Sequence, residues 1–474
     1  QDKARQNIRR HMVRVLPGLS EATQQVFLRE RYRTGFESAL TLGWIRKTDS
    51  KTASLSAAWL LNGKSAAQEA QAESAVMSTG QSAPLAQELR QVRDQISKRT
   101  INSGGKQNTE WLTRLKQREE ELQKKLGNVG LNLQKRDPWV TVESVRNQIP
   151  KGTVLINIAR FHEFNFKTSP QKQYWKPSRY AAWIIPATGA GEIQVIDLGE
   201  SEPIDREIFS MRKQIQATLK TLPETGEVAA VAEFKKSITE LSQRVLRPLE
   251  PAIEGMENII LSPDAELWTV PWGALLTSDD KYLIEKHQIH YVVSGRELVD
   301  QEKKSGETSA SVIFADPDYN LGIDLAPVRT TRSQLKLRFS SSAHFPPLAA
   351  SAAEAESIKP SLESFVGHPA RLLLQAAAQE ATFKELHRPR VLVLSTHGYF
   401  EQQPIFNQAA NGPVQFENPF LRCGLALAGC NNRADALKSG KEDGILTGLE
   451  IVGTDLRGTE LVVLSACETG LGDI

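Results

Sequence analysis

The first 75 residues carry apolar side chains at helical spacing, with Val13, Leu16, Leu19, Val26, Phe27, Phe36, Leu40 and Leu42 recurring every few positions. That period predicts two or three packed helices. Gly63, in Leu60-Leu61-Asn62-Gly63-Lys64, is expected to stop the last of them. The texture then changes over residues 76–136, where Leu85, Leu89, Val92 and Ile96 step by four, three and four, and Leu112, Leu115, Leu122 and Leu126 keep an a/d-like register through Arg118-Glu119-Glu120-Glu121. Turn residues between Asn102 and Asn108 close these two stretches into an antiparallel helical hairpin. Each heptad run is short, which favours a structural arm over a dedicated partner-binding coiled coil.

From Asp137-Pro138-Trp139 onward, strands alternate with helices. Val154–Ile158, Ala181–Ile185, Ile193–Leu198 and Asn258–Pro263 read as strands, with one helical stretch from about Asp205 to Leu249. Further strands are expected at 311–315, 391–395 and 461–465, with helical segments near 352–364 and 378–386. Such alternation predicts an α/β fold built on a parallel-rich sheet sandwiched by helices. The runs Val391-Leu392-Val393-Leu394 and Leu461-Val462-Val463-Leu464 are aliphatic throughout and read as strands buried on both faces. Residues 323–345, with Arg329, Arg332, Lys336, Arg338 and several serines, and residues 401–418 read as long surface loops.

The two aliphatic runs end in reactive groups, Ser395-Thr396-His397-Gly398 and Ser465-Ala466-Cys467-Glu468. In an open parallel sheet the C-terminal strand edge is where ligands bind, so neighbouring strands there present an imidazole and a thiol to one crevice. The imidazole takes the thiol proton, the thiolate attacks, and backbone N–H groups hold the oxyanion. Gly398, which has no Cβ, and Cys467 itself are the candidate oxyanion donors. Taken singly, a cysteine after an aliphatic strand is more often a small buried hydrophobe. The matching contexts of the two residues favour the dyad.

These segments resemble the two signature blocks of the CHAT family, caspase-like domains associated with TPR repeats and related to caspases and separase. Further blocks agree in order: Leu261-Ser262-Pro263-Asp264, Val270-Pro271-Trp272-Gly273-Ala274-Leu275, Ala315-Asp316-Pro317-Asp318, Gly424-Leu425-Ala426-Leu427-Ala428-Gly429 and Asp443-Gly444-Ile445-Leu446-Thr447. The resemblance spans roughly residues 137–474. It implies a caspase-like fold with a non-catalytic half at 137–305 and a catalytic half at 306–474, preceded by a helical linker or cap at 1–75 and the hairpin at 76–136. It also implies a cysteine endopeptidase with His397 as base and Cys467 as nucleophile. The family continues beyond its nucleophile, whereas Ile474 lies seven residues after Cys467, so the expectation is an active site completed by further polypeptide. Likewise, residue 1 is a glutamine and is expected to be an internal position, with any repeat array before it.

Charge adds little direction: 58 basic residues face 56 acidic ones, so nucleic acid and membrane surfaces are not expected partners. Three cysteines without Cys-x-x-Cys spacing argue for a reducing, cytoplasmic setting, and Cys423 and Cys430 are not expected to bind zinc. No signal peptide, dinucleotide-binding or Walker motif is present, so no cofactor is expected. The expected partners are a protein substrate and an activating or inhibitory protein acting through the helical region. Alternatives are a catalytically silent caspase-like scaffold and a different thiol enzyme such as an acyltransferase. For specificity, Asp443 and Glu468 are candidate substrate-binding carboxylates that would select a basic side chain, with Glu442 beside the first; a turn or helix-cap role for Asp443 is the competing reading.

Overall fold

The computed structural model describes residues 1–64, 66, 69–70, 82–102, 110–131, 137–167, 174–300, 307–322, 344–348, 350–400, 419–439 and 441–466. Two sheets organise it. The first is a five-stranded mixed sheet in the order β3-β2-β1-β4-β5, formed by β1 (Thr153–Phe164), β2 (Trp175–Pro186), β3 (Gln194–Glu200), β4 (Asn258–Ser262) and β5 (Gln288–Tyr291). β1 pairs antiparallel with β2 and parallel with β4.

Side chains two apart on a strand share a face, and β1 sorts its residues accordingly. Val154, Ile156 and Ile158 enter a core with Ile204, Ile208 and Met211 of α8 (Ser201–Thr225) and Ile238, Leu241 and Val245 of α9 (Glu227–Val245). Leu155, Ala159 and Phe161 face Leu40 of α3 (Arg33–Ile45), Ala53, Ala57 and Leu61 of α4 (Ser50–Gly63) and Val142 and Val145 of α7 (Val142–Gln148). The N-terminal helices therefore close one face of this sheet. α4 ends at Gly63 as the sequence signals, whereas the single helix expected from 205 to 249 is broken at Gly226. Gly226 sits at φ 76°, a conformation open to glycine, and its N–H returns to the Leu222 carbonyl to end α8. Of the apolar positions singled out in the first 75 residues, Leu16 and Leu40 are buried, while Val13 and Leu42 are half-buried.

Lys64, next after α4, is driven into the C-terminal end of the β1/β4 pair. Its ammonium donates to Pro263 O (2.6 Å), Ser262 Oγ (2.7 Å), Ile158 O (2.8 Å), Ser262 O (3.0 Å) and Asn157 Oδ1 (3.3 Å). Burial pulls its pKa down to about 8, so it remains largely protonated at neutral pH, as these oxygen acceptors require. A cation of the chain itself thus occupies this strand edge.

The second sheet is fully parallel, β12-β8-β6-β7, from β6 (Val312–Pro317), β7 (Arg371–Gln375), β8 (Val391–Ser395) and β12 (Leu461–Ser465). Ile313, Ala315, Val391 and Val393 pack on Ala355 and Val366 of α10 (Ser351–Val366). Val312, Phe314, Leu392 and Leu394 pack on Phe383 of α11 (Glu380–Lys384) and on a small antiparallel sheet, β11-β10-β9, made by β9 (Gly398–Phe400), β10 (Cys423–Ala426) and β11 (Ile445–Thr447). β8 is buried throughout, but β12 is not: Leu461 to Leu464 are 38–49% exposed. The expectation of burial on both faces fails there; among the described residues β12 lies at the edge of the sheet and pairs with β8 alone.

Helices α5 (Ala83–Asn102) and α6 (Glu110–Leu131) form the hairpin, with Arg93 bonded to Glu119 and Arg118 to Glu88 across an antiparallel pair. The turn expected at 102–108 lies, from residue 103, outside the described residues. The apolar seam of Leu89, Val92, Ile96, Leu112, Leu122 and Leu126 is covered by Leu421 and by Leu449 of α12 (Gly448–Ile451). The hairpin is docked on the C-terminal half, as a structural arm would be.

Asp455 pins the segment leading into β12. It accepts from Arg457 (2.7 and 2.8 Å) and Arg388 (3.0 Å), while the Arg388 N–H donates to its carbonyl (2.7 Å). Burial alone would raise this carboxyl, but the bonds from Arg457 and Arg388 hold it well below the usual carboxylate range. A depressed carboxylate stabilises the fold above its unfolded value of about 3.9, and that contribution is lost as pH falls through the folded value. Asp455→Asn is expected to cost about 1 kcal/mol at neutral pH, allowing for partial exposure, and to flatten the loss of stability below about pH 4. Urea denaturation across a pH series measures both.

Candidate active site

The site is built on one strand pairing. β12 lies parallel to β8 with Leu461 opposite Val391 and Ser465 opposite Ser395, and the Thr396 N–H continues the ladder to the Ser465 carbonyl (3.3 Å). His397 follows one of these strand ends directly. Cys467 follows Ala466 on the other and, with Glu468, lies outside the described residues, as do 323–343 of the first expected loop and all of 401–418.

His397 is held on several sides. Its Nε2 lies 2.8 Å from the Pro346 carbonyl, which can only accept, so Nε2 carries the proton and Nδ1 keeps a lone pair in the neutral ring. Tyr319 and Phe345 flank the ring at centroid distances of 5.3 and 5.7 Å. Asn431 fixes the segment that supplies the carbonyl, accepting from the Phe345 N–H (2.8 Å) and donating to the Phe345 carbonyl (2.9 Å). Thr396 donates its hydroxyl proton to the Ala426 carbonyl, so the 3.0 Å contact with Tyr319 is a bond donated by the phenol. Burial pushes that phenol up to about 12, so it stays protonated as the bond requires. The His397 carbonyl accepts from the Ala426 N–H (2.9 Å), and Gly398 opens β9 opposite Leu425.

Tyr319, Phe345, Pro346 and Asn431 were not singled out from the sequence. Tyr319 stands one residue past the Ala315–Asp318 block and was within reach of that signal. Pro346 acts through a main-chain carbonyl, which leaves no mark in side-chain chemistry.

Asp443 is not brought to this edge. It is 1% exposed and accepts from the Ile445 N–H (3.0 Å), an Asx-type turn before β11. β10 separates β11 from β9, which puts the turn about 10 Å from the strand that starts at Gly398. Its burial and the Ile445 bond match the turn role that competed with the buried substrate-binding carboxylate. The neighbouring Gly444 has φ 78° and its N–H donates to Glu380 (2.8 Å); a Cβ there would meet the Cys430 nitrogen at 2.5 Å. Only glycine fits.

Glu442 joins a different cluster. The Lys384 ammonium contacts Asp94 (2.6 Å), Glu380 (2.6 Å), Glu442 (2.9 Å) and Glu450 (2.9 Å), and Lys98 joins Asp94 (2.9 Å) and Glu442 (2.7 Å). The carboxylates of Asp94, Glu380 and Glu442 converge closely enough to hold a metal ion, but Lys384 already supplies the cation among them. A cavity of about 260 Å³ opens beside this cluster between the hairpin and α12, away from His397.

The CHAT domain family model matches residues 235–474, just over half of the chain, from within α9 through the parallel sheet. That is a shorter span than the resemblance beginning near residue 137. No curated protein matches the chain. Among the described residues no helix is long and apolar enough to cross a membrane.

Burial raises the thiols of both Cys423 and Cys430, the second far more strongly. Reaction with an alkylating reagent requires the thiolate. Iodoacetamide at neutral pH is therefore expected to leave both residues unmodified in the folded protein and to modify them on denaturation, as peptide mass mapping would show. Rapid labelling of Cys430 in the native state would contradict the packing described.

Proposed function

The chain belongs to the CHAT domain family, a group of caspase-like, protease-related modules, and we propose that it is a regulated cysteine endopeptidase acting through His397 and Cys467. The observation that carries this reading is the bond from His397 Nε2 to the Pro346 carbonyl. It leaves Nδ1 as the basic atom, on the strand paired with the one that Cys467 follows.

In this mechanism Nδ1 takes the thiol proton of Cys467, and the thiolate attacks the carbonyl carbon of a scissile peptide bond. Gly398 and Cys467 N–H groups hold the oxyanion. The C–N bond then breaks as the imidazolium returns its proton to the leaving amine. Water, deprotonated by Nδ1, hydrolyses the thioester, releasing the acid and restoring the thiol. The substrate is a protein, and the setting is cytoplasmic.

Regulation is assigned to the helical region. The ammonium of Lys384 and the hydroxyl of Ser97, which contacts Thr447 (3.0 Å) and Glu450 (3.2 Å), latch the hairpin to the segment around β11. From β11 the small sheet runs through β10 to β9 and Gly398. A protein partner that moves the hairpin would thereby bias the oxyanion donor.

His397→Ala and Cys467→Ala are each expected to lower turnover of a cleavable peptide by about three orders of magnitude or more while leaving the denaturation midpoint near wild type. Normal turnover in either variant rejects the dyad. Lys384→Met removes the cation that joins Asp94 and Glu442 to Glu380 and Glu450, leaving Lys98 on the first two alone, so the latch weakens and partner-independent proteolysis is expected to rise. A fall instead would mean that the hairpin supports the site rather than restraining it.

A further inference from the structure

We propose that Glu354 is a positioning residue that ties the strand bearing the base to the strand bearing the nucleophile. The inference rests on the dyad reading and adds to it the group that sets the spacing of the pair. Glu354 lies in the first turn of α10, on the opposite face of the sheet from Thr396 and its partners. Its carboxylate accepts from two hydroxyls: Ser395 Oγ at 2.7 Å, and Ser465 Oγ at 3.1 and 3.2 Å. Those serines are paired across β8 and β12, each two residues before a member of the dyad.

The helix that carries the carboxylate is itself fixed. The Ser351 hydroxyl donates to the Leu348 carbonyl (2.9 Å) and accepts from the Asp316 N–H at the end of β6 (3.0 Å), while Ala355 is buried against the sheet. One anion is therefore held in place by the core and reaches both strand ends. β12 needs such a tie more than β8 does. β8 is buried between two neighbours, whereas among the described residues β12 has one neighbour and four half-exposed aliphatic residues. At the start of β12 the Asp455 network fixes the chain; at its end the Glu354 bond to Ser465 continues that fixation to the residue before Ala466-Cys467. On the dyad reading, loss of the tie frees the end of β12 that leads to the nucleophile.

A carboxylate near a helix N-terminus also favours the helix dipole, and that role alone would change stability without changing the thiol. The test is the rate of Cys467 alkylation by iodoacetamide against pH, on the full chain, with thermal denaturation recorded for each variant. An imidazole held beside the thiol is expected to bring the half-point of the wild-type profile below about 8.5, the ordinary cysteine value, and His397→Ala to return it there. Glu354→Ala should move the profile toward that of His397→Ala and slow labelling at neutral pH by about 10- to 100-fold. Glu354→Gln keeps an oxygen that accepts from both hydroxyls, and it should recover most of the wild-type rate. Ser395→Ala and Ser465→Ala should each act like Glu354→Ala, and the double variant should be no worse than either, because one cut severs the tie.

A wild-type profile in folded Glu354→Ala, or serine effects that simply add, would overturn the proposal while leaving the dyad standing. If wild type and His397→Ala share one profile, the dyad reading fails and the tie loses its role with it.

Discussion

The parallel, in-register pairing of β8 with β12 is the constraint on which the candidate site depends. Side chains on a strand alternate faces, so a slip of one residue would turn Ser465 away from Glu354 and send Ala466 to the face now held by Ser465. The register instead puts Ser395 and Ser465 on the α10 side and Thr396 on the side of the small sheet. The two strands are unequal. On the β8 side, Pro346, Tyr319, Phe345 and Ala426 all restrain His397 or its neighbour, while the described restraints on β12 are its ladder to β8, the Asp455 network, the Glu460–Arg390 pair before it and Glu354 after it.

A second constraint links that sheet to the helical region. An apolar seam such as Leu89, Val92 and Ile96 fixes that the hairpin is covered but only weakly where along the surface it sits. Lys384, with four carboxylates from three separate segments, supplies the missing specificity. Removing one partner of such a buried cluster leaves uncompensated charge, so the arrangement is held in one register or released as a whole. At the first sheet the corresponding strand edge is occupied by Lys64, delivered by the end of α4.

Much of this architecture is legible in the chain itself. The aliphatic runs at 391–395 and 461–465 coincide with β8 and β12, and the a/d positions from Leu89 to Leu126 form the hairpin core, because local period reports directly on which face is buried. Composition cannot report strand order, so the exposure of Leu461 to Leu464 was hidden until β12 was placed at an edge. Asp443 was equally ambiguous from sequence, since a turn carboxylate and a pocket carboxylate have the same local signature; its burial and the Ile445 bond match the turn. Glu354 and Pro346 precede their partners Ser395 and His397 by 41 and 51 residues, and contacts of that range leave no periodic trace.

The most direct measurement is a reagent that reports the distance between the two proposed groups without requiring a substrate. 1,3-Dibromoacetone alkylates a thiolate first, and its second arm then reacts with whichever nucleophile lies within a few bonds' reach. Peptide mapping of the treated full chain should find Cys467 joined to His397 through Nδ1, because Nε2 is committed to the Pro346 carbonyl. Cys467 modified with its second arm hydrolysed, or joined to any residue other than His397, would contradict the account.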